Sequence, residues 1–153
     1  MIEAVPKRWF SGDYLLRQAH GTVADLDVSA WREQGEFDVA GGRYRVYRER
    51  MASGAFVLEK DGQTLARAVK PSAFKARFEI QIGSRAFIMH RPRWWRSDFA
   101  LLDGQTQVGS VRRAGAFTRR TIIDLPHDLP LAAQVFVFWL ALIIWNREQS
   151  AAS

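Results

Sequence analysis

From Asp13 to Leu125 the chain alternates short apolar segments with turn residues, and the segments have strand length and strand composition. Eleven such segments are rich in Val, Ile, Phe, Tyr and Leu. They are Tyr14–Ala19, Val23–Val28, Glu36–Val39, Arg43–Arg48, Gly54–Glu59, Thr64–Lys70, Arg77–Ile82, Arg85–His90, Asp98–Leu102, Gln107–Arg112 and Arg119–Ile123. In Tyr44-Arg-Val-Tyr and Phe78-Glu-Ile-Gln-Ile, apolar and polar positions roughly alternate, as on strands with one buried face, so Arg45 and Glu79 are expected to point outward. Many short strands at this spacing predict an all-β barrel or sandwich.

The pattern then changes. Asp124-Leu-Pro-His-Asp-Leu-Pro130 ends the strands, and Leu131–Trp145 is the most hydrophobic stretch of the chain. The expected helix runs over about 129–147, with Asp128 as N-cap, Pro130 in the first turn and a fraying tail at Gln149–Ser153. Fifteen residues of helix rise about 22 Å, short of the roughly 30 Å of a bilayer core. Neither flank carries a basic cluster, and the run has no polar stripe. A helix that is apolar on every side must be enclosed. A closed sheet can enclose it, because a helix fills the lumen that side chains alone leave open in a larger barrel. The segment is therefore expected to be the core of a single domain spanning 1–153, with strands over about 13–125, instead of a tail anchor.

An internal repeat supports closure. Phe56-Val-Leu-Glu-Lys-Asp-Gly-Gln-Thr-Leu-Ala-Arg-Ala-Val-Lys70 resembles Phe99-Ala-Leu-Leu-Asp-Gly-Gln-Thr-Gln-Val-Gly-Ser-Val-Arg-Arg113. Phe74 and Phe117 close the two units. Each reads as strand, Asp-Gly turn, strand, since Asp-Gly adopts the positive φ angles of a tight hairpin. Two copies about 42 residues apart point to a pseudo-symmetric sheet rather than a solenoid. Gly41-Gly42 reads as a further turn.

The order of motifs resembles a known family. Tyr44-Arg-Val-Tyr-Arg, Ser53-Gly-Ala-Phe-Val-Leu, Asp61-Gly-Gln-Thr-Leu-Ala, the hairpin ending Gly109-Ser-Val-Arg-Arg and the closing apolar helix are similar to the tubby C-terminal-like superfamily, nearest its LURP-one-related and phospholipid scramblase-like branch. The resemblance spans roughly Tyr14 to Asn146. It implies a twelve-stranded antiparallel barrel around a hydrophobic C-terminal helix, and a link to lipid headgroups. The Cys-rich and Pro-rich flanks of scramblases are missing here, and tubby's headgroup-binding basic residues align to no particular position.

Composition narrows the function classes. With 48% apolar and 25% charged residues the chain is an ordinary globular one. It has no cysteine, so thiolate chemistry and disulfides are out, and Met1-Ile-Glu-Ala-Val-Pro-Lys-Arg is too poor in apolar residues for a secretory signal. A cytoplasmic protein is expected, peripheral at a membrane if it meets one. His20, His90 and His127 stand apart from any second ligand, single aspartates such as Asp61 and Asp103 are ordinary in hairpin turns, and no nucleophile elbow, phosphate loop or EF-hand occurs. The expectation is a non-enzyme with neither cofactor nor metal.

Charge supplies the candidate sites. Of the net +6, residues 41–120 carry 17 Lys/Arg against 6 Asp/Glu, while both flanks are net acidic. Lys70 and Lys75 on the first repeat, with Arg112, Arg113, Arg119 and Arg120 on the second, are expected to form matching basic rims that receive an anionic headgroup. Arg91-Pro-Arg-Trp-Trp-Arg96 interleaves Arg91, Arg93 and Arg96 with Trp94 and Trp95, a mixture suited to a membrane interface or to stacking on single-stranded nucleic acid. The plainer expectation turns Trp94 or Trp95 into the barrel and leaves the arginines in water. A peripheral binder of anionic phospholipid is the leading reading. A module for an unknown protein partner comes second, and nucleic acid third.

Overall fold

The computed structural model describes residues 1–29, 31–50 and 54–153; Ser53 of the second family-like motif therefore lies outside the described residues. Twelve strands are followed by one helix: β1 (Ile2–Pro6), β2 (Tyr14–Gln18), β3 (Gly21–Ser29), β4 (Gln34–Val39), β5 (Gly42–Arg48), β6 (Phe56–Lys60), β7 (Gln63–Val69), β8 (Arg77–Ile82), β9 (Arg85–His90), β10 (Phe99–Asp103), β11 (Thr106–Arg113), β12 (Thr121–Asp124) and α1 (Leu131–Ala152). Every strand pairs antiparallel with its sequence neighbours, and β1 closes the ring on β12 through Ile2↔Ile123 and Ala4↔Thr121. All eleven expected strands are present. The twelfth, β1, falls in the segment read only as lacking a signal peptide.

Period-2 alternation sets the two faces. In β4, Gly35, Phe37 and Val39 point inward, while Glu36 and Asp38 point out. In β8, Phe78, Ile80 and Ile82 do the same beside Glu79 and Gln81. Outside, Arg43 reaches from β5 to Glu36 at 2.6 Å and Asp38 at 2.9 Å, exposed contacts that solvent screens and that add little to stability. Inside, α1 fills the lumen, and every residue from Ala132 to Trp145 is buried.

The helix is longer than expected. Its 22 residues rise about 33 Å, so by length and composition it could cross a membrane. The length argument against a membrane span thus fails, and burial decides the matter: 78% of the apolar window lies inside the protein. The entry also differs. Pro130 is the N-cap with no side-chain cap bond, and the carboxylate of Asp128 instead accepts from Arg85 at 2.8 Å. Gln134, the one polar side chain within the buried stretch, donates to Leu129 O at 3.1 Å.

Strand registers place the two repeat units in equivalent positions and add a third. Phe56 pairs Ala68 and Leu58 pairs Ala66, with a bulge after Leu58. Phe99 pairs Val111 and Leu101 pairs Gly109, with a bulge after Leu101. Tyr14 pairs Leu26 and Leu16 pairs Ala24, with a bulge after Leu16. The aromatic ring opening each hairpin packs on the helix: Tyr14 on Phe138, Phe56 on Trp139 and Phe99 on Trp145, with centroids 5.1, 5.7 and 5.7 Å apart. The shared Asp-Gly-Gln-Thr motif itself is offset by one residue. Asp61-Gly62 forms the first turn with φ of 52° and 77°, whereas Gly104-Gln105 forms the second, with Gly104 at 62°. These are type I′ and type II′ geometries. Between β4 and β5 the turn is Ala40-Gly41 instead of Gly41-Gly42, since Gly42 already pairs with Val39.

Because the wall and the helix form one core, damage to the helix is expected to be global. Phe138→Ala is expected to cost about 3–5 kcal/mol in urea unfolding. Phe138→Asp or Leu142→Asp is expected to abolish the cooperative transition altogether. A folded, cooperatively melting Asp variant would show that the helix is not the core.

Candidate functional site: the loop end of the barrel

An up-and-down barrel has two different ends. At one end lie two-residue turns such as Asp61-Gly62 and Gly104-Gln105, together with the start of α1. At the other end lie six longer connections, 7–13, 30–33, 49–55, 70–76, 91–98 and 114–120, and there α1 emerges. Meander topology fixes this division, because alternate connections of antiparallel neighbours must fall on alternate ends.

The exposed aromatic residues follow the same division. Trp9 and Phe10, Trp31, Phe74, Trp94 and Trp95, and Phe117 all project from the loop end. Phe74 is 100% exposed, Trp31 93%, Trp9 88% and Trp94 84%. Toward the turn end, among the described residues, the large apolar side chains left in water are Met1 and, at the margin, Leu65, and neither is aromatic. Five of six neighbouring loops thus each hold one or two rings in solvent, where each ring forgoes the free energy of burial. The expectation that Trp94 or Trp95 fills the barrel is corrected. Their rings lie edge to face, 5.7 Å apart, outside it. The lumen at this end is already occupied by Trp145, whose indole donates to Ser97 O at 2.9 Å.

The basic residues expected as matching rims do share this end, yet they do different things there. Arg113 donates to Tyr14 Oη, Arg119 O and Thr121 Oγ1 at 3.3, 2.7 and 3.2 Å and lies 3.9 Å over the Trp145 ring. Arg119 donates to Arg8 O at 3.2 Å, Trp9 O at 3.0 Å and also Ser11 O, tying down the loop between β1 and β2. Arg120 is paired with Glu3. Arg113 and Arg119 tie elements of the fold together, while Arg120 is engaged in an exposed surface pair. Arg112 is exposed on the outer face of β11 and, among the described residues, makes no ion pair.

Lys70 and Lys75 are placed differently. With Arg77, Arg91 and Arg147 they line a cleft of about 570 Å³ floored by Ile144 and bordered by Phe74 and Trp94. Sequence reasoning missed Arg77 and Arg147, because only the fold brings the start of β8 and the end of α1 beside Lys70. Two of the five cations are matched by carboxylates. Arg91 forms a bidentate pair with Glu148 at 2.6 and 2.6 Å, and Arg147 one with Glu33 at 2.7 and 2.8 Å. Lys75 and Arg77 have no ion pair among the described residues, and the Lys70 ammonium donates to Ser72 O at 2.5 Å. Partial burial, and then the neighbouring Arg147 charge, lower the pKa of Lys70 below the ordinary lysine value. Of the loop-tip cations, Arg96 faces Asp98 at 3.3 Å and Arg93 has no acidic partner among the described residues.

No group of three or more His, Asp or Glu residues stands together as a metal site among the described residues. What this end can do chemically is attract and hold an anion while placing apolar rings around it.

A lowered lysine pKa means that folding strains the charged form. The penalty is present at neutral pH, below both the folded and unfolded pKa values, and is relieved as pH rises through them. Lys70→Met is therefore expected to leave Tm at neutral pH equal to or above wild type, with the advantage shrinking toward alkaline pH. A clear loss of Tm at neutral pH would mark Lys70 as a structural residue.

Comparisons with family models, curated proteins and solved structures return no match for this chain. The tubby-like resemblance accordingly stands on the quoted motifs alone, and the functional reading rests on the chemistry of the loop end.

Proposed function

We propose that this chain is a peripheral membrane-binding module that docks its loop end onto anionic phospholipid. The observation that carries the proposal is the confinement of Trp9, Phe10, Trp31, Phe74, Trp94, Trp95 and Phe117 to one end of the barrel, amid Lys75, Arg77, Arg93 and Arg112, which make no ion pair among the described residues. Trp is at home in the interfacial layer, where an amphipathic ring finds both an apolar and a wet side. Each Lys or Arg held near an anionic leaflet adds about 1 kcal/mol. Rings on separate loops suit a broad, soft surface better than a single continuous partner. Nucleic-acid stacking uses the same residue types but asks for a groove that tracks a strand, with rings at successive base positions. Here the rings are spread over five connections around the barrel.

In this orientation the helix remains a core element and enters no lipid. Docking needs no catalytic group, and the account asks only for reversible adsorption.

Vesicle sedimentation is the test. The protein is expected to pellet with vesicles containing phosphatidylglycerol and to remain in solution with pure phosphatidylcholine. Binding is expected to weaken as salt is raised, since screening acts on exposed charges. The combined substitution Phe74→Ser, Trp94→Ser and Phe117→Ser is expected to lower binding at least about tenfold with Tm unchanged, because these rings pack on little else. Pelleting that ignores lipid charge, or survives the triple substitution, would overturn the proposal. So would binding to single-stranded DNA with no binding to vesicles.

A further inference from the structure

Of the clefts at the loop end, the one lined by Lys70 and Ile144 has the most one-sided charge. Lys70, Lys75, Arg77, Arg91 and Arg147 surround it, and Glu148 is the one carboxylate on its wall. Coulomb repulsion among the five cations is offset only in part, by Glu148 on Arg91 and by Glu33, from outside the cleft, on Arg147. Lys70 shows the consequence most directly: it is half-buried and bonded to a neutral carbonyl, with a guanidinium for a neighbour in place of a counter-ion. Building such a site costs stability, and an incoming anion recovers it.

The chemistry of the donors specifies the anion. Lys70 and Lys75 offer compact ammonium charges, and Arg77 and Arg91 offer planar forks, a combination suited to a phosphate with several open oxygens. A phosphodiester in a lipid such as phosphatidylglycerol carries one charge and two open oxygens, with ester substituents on either side. A terminal phosphomonoester carries up to about two charges and three open oxygens. The second answers more of the excess positive charge of the cleft. Phe74 and Trp94, both exposed rings of the loop end, line the cleft. Rings seated in the interface would hold its mouth at headgroup depth. The Arg91–Glu148 pair lies on the wall, with Glu148 itself exposed on the last turns of α1. A phosphate can replace Glu148 on the Arg91 fork without disturbing the core.

We infer that the cleft bounded by Lys70, Lys75, Arg77, Arg91 and Arg147 is a specific site for the phosphomonoester headgroup of an acidic phospholipid. This rests on the membrane-docking reading and deepens it, because it separates one localised site from the diffuse attraction of the whole end.

The test compares vesicles of phosphatidylcholine doped with phosphatidic acid or with phosphatidylglycerol, matched in surface potential. The wild-type chain is expected to bind the phosphatidic acid vesicles about tenfold tighter. Lys70→Met with Lys75→Met is expected to erase that preference. Arg93→Met with Arg112→Met, which removes the same charge outside the cleft, is expected to weaken binding to both vesicles and keep the ratio. Equal binding of wild type to the two vesicles, or a ratio that both double variants lower alike, would overturn the site and leave the docking proposal standing. Calorimetry with glycerol 3-phosphate identifies the source of the ligand. Competition by this soluble probe against phosphatidic acid vesicles is expected. Tight binding of it by a chain that adsorbs to no vesicle would overturn the lipid source, and the docking reading with it.

Discussion

The burial of α1 is the constraint from which the rest of the structure follows. Fourteen consecutive residues, Ala132 to Trp145, are buried with no polar face among them. An amphipathic helix can lie on one sheet, but a helix apolar on all sides needs a wall around its whole circumference. Twelve antiparallel strands closed by β1 on β12 supply that wall and leave no open edge. The threefold recurrence of an aromatic ring against the helix, from Tyr14, Phe56 and Phe99, shows how one hairpin design was fitted around the same core three times.

The same constraint makes the two ends of the barrel unequal. The chain enters the lumen where β12 ends, so the short turns gather there, and α1 leaves among the six long connections. Its final turns thereby become part of the loop end: Trp145 plugs the lumen, Arg147 holds Glu33, and Glu148 faces Arg91. Over each of the three core aromatics sits a guanidinium on this side, Arg119 above Tyr14, Arg48 above Phe56 and Arg91 above Phe99, at 5.5, 5.8 and 5.1 Å. These contacts mark the boundary between the apolar lumen and a basic rim. The surface chemistry of the molecule thus begins where its core ends.

Much of the fold was legible in the sequence because period-2 alternation and an unstriped apolar run are local signals. Strand β1 was not, since Ile2-Glu-Ala-Val-Pro6 is five residues long and one of its two partners, β12, lies at the far end of the chain. Nor was the third repeat, because Tyr14-Leu-Leu-Arg-Gln-Ala-His-Gly lacks the Asp-Gly-Gln-Thr signature and shares only an aromatic residue and Leu two places on. In the candidate site, the concentration of charge in residues 41–120 was visible, but which arginines were already engaged was not. Arg113 and Arg119 look identical to Arg112 in sequence, and only the approach of Tyr14, Trp145 and the 7–13 loop turns them into internal ties. The exposure of Trp94 and Trp95 was equally hidden, because a tryptophan in a loop reads as well inward as outward until the lumen is known to be full.

One measurement addresses the central claim, that the loop end meets lipid while the helix stays inside the barrel. Variants retaining a single tryptophan, with the other five changed to Phe, can be bound to anionic vesicles whose acyl chains carry bromine as a contact quencher. The account predicts strong quenching when Trp94 is the one retained, and none when it is Trp139, which is fully buried between Phe56 and Phe136. Quenching of Trp139, or an unquenched Trp94 on vesicle-bound protein, would contradict it.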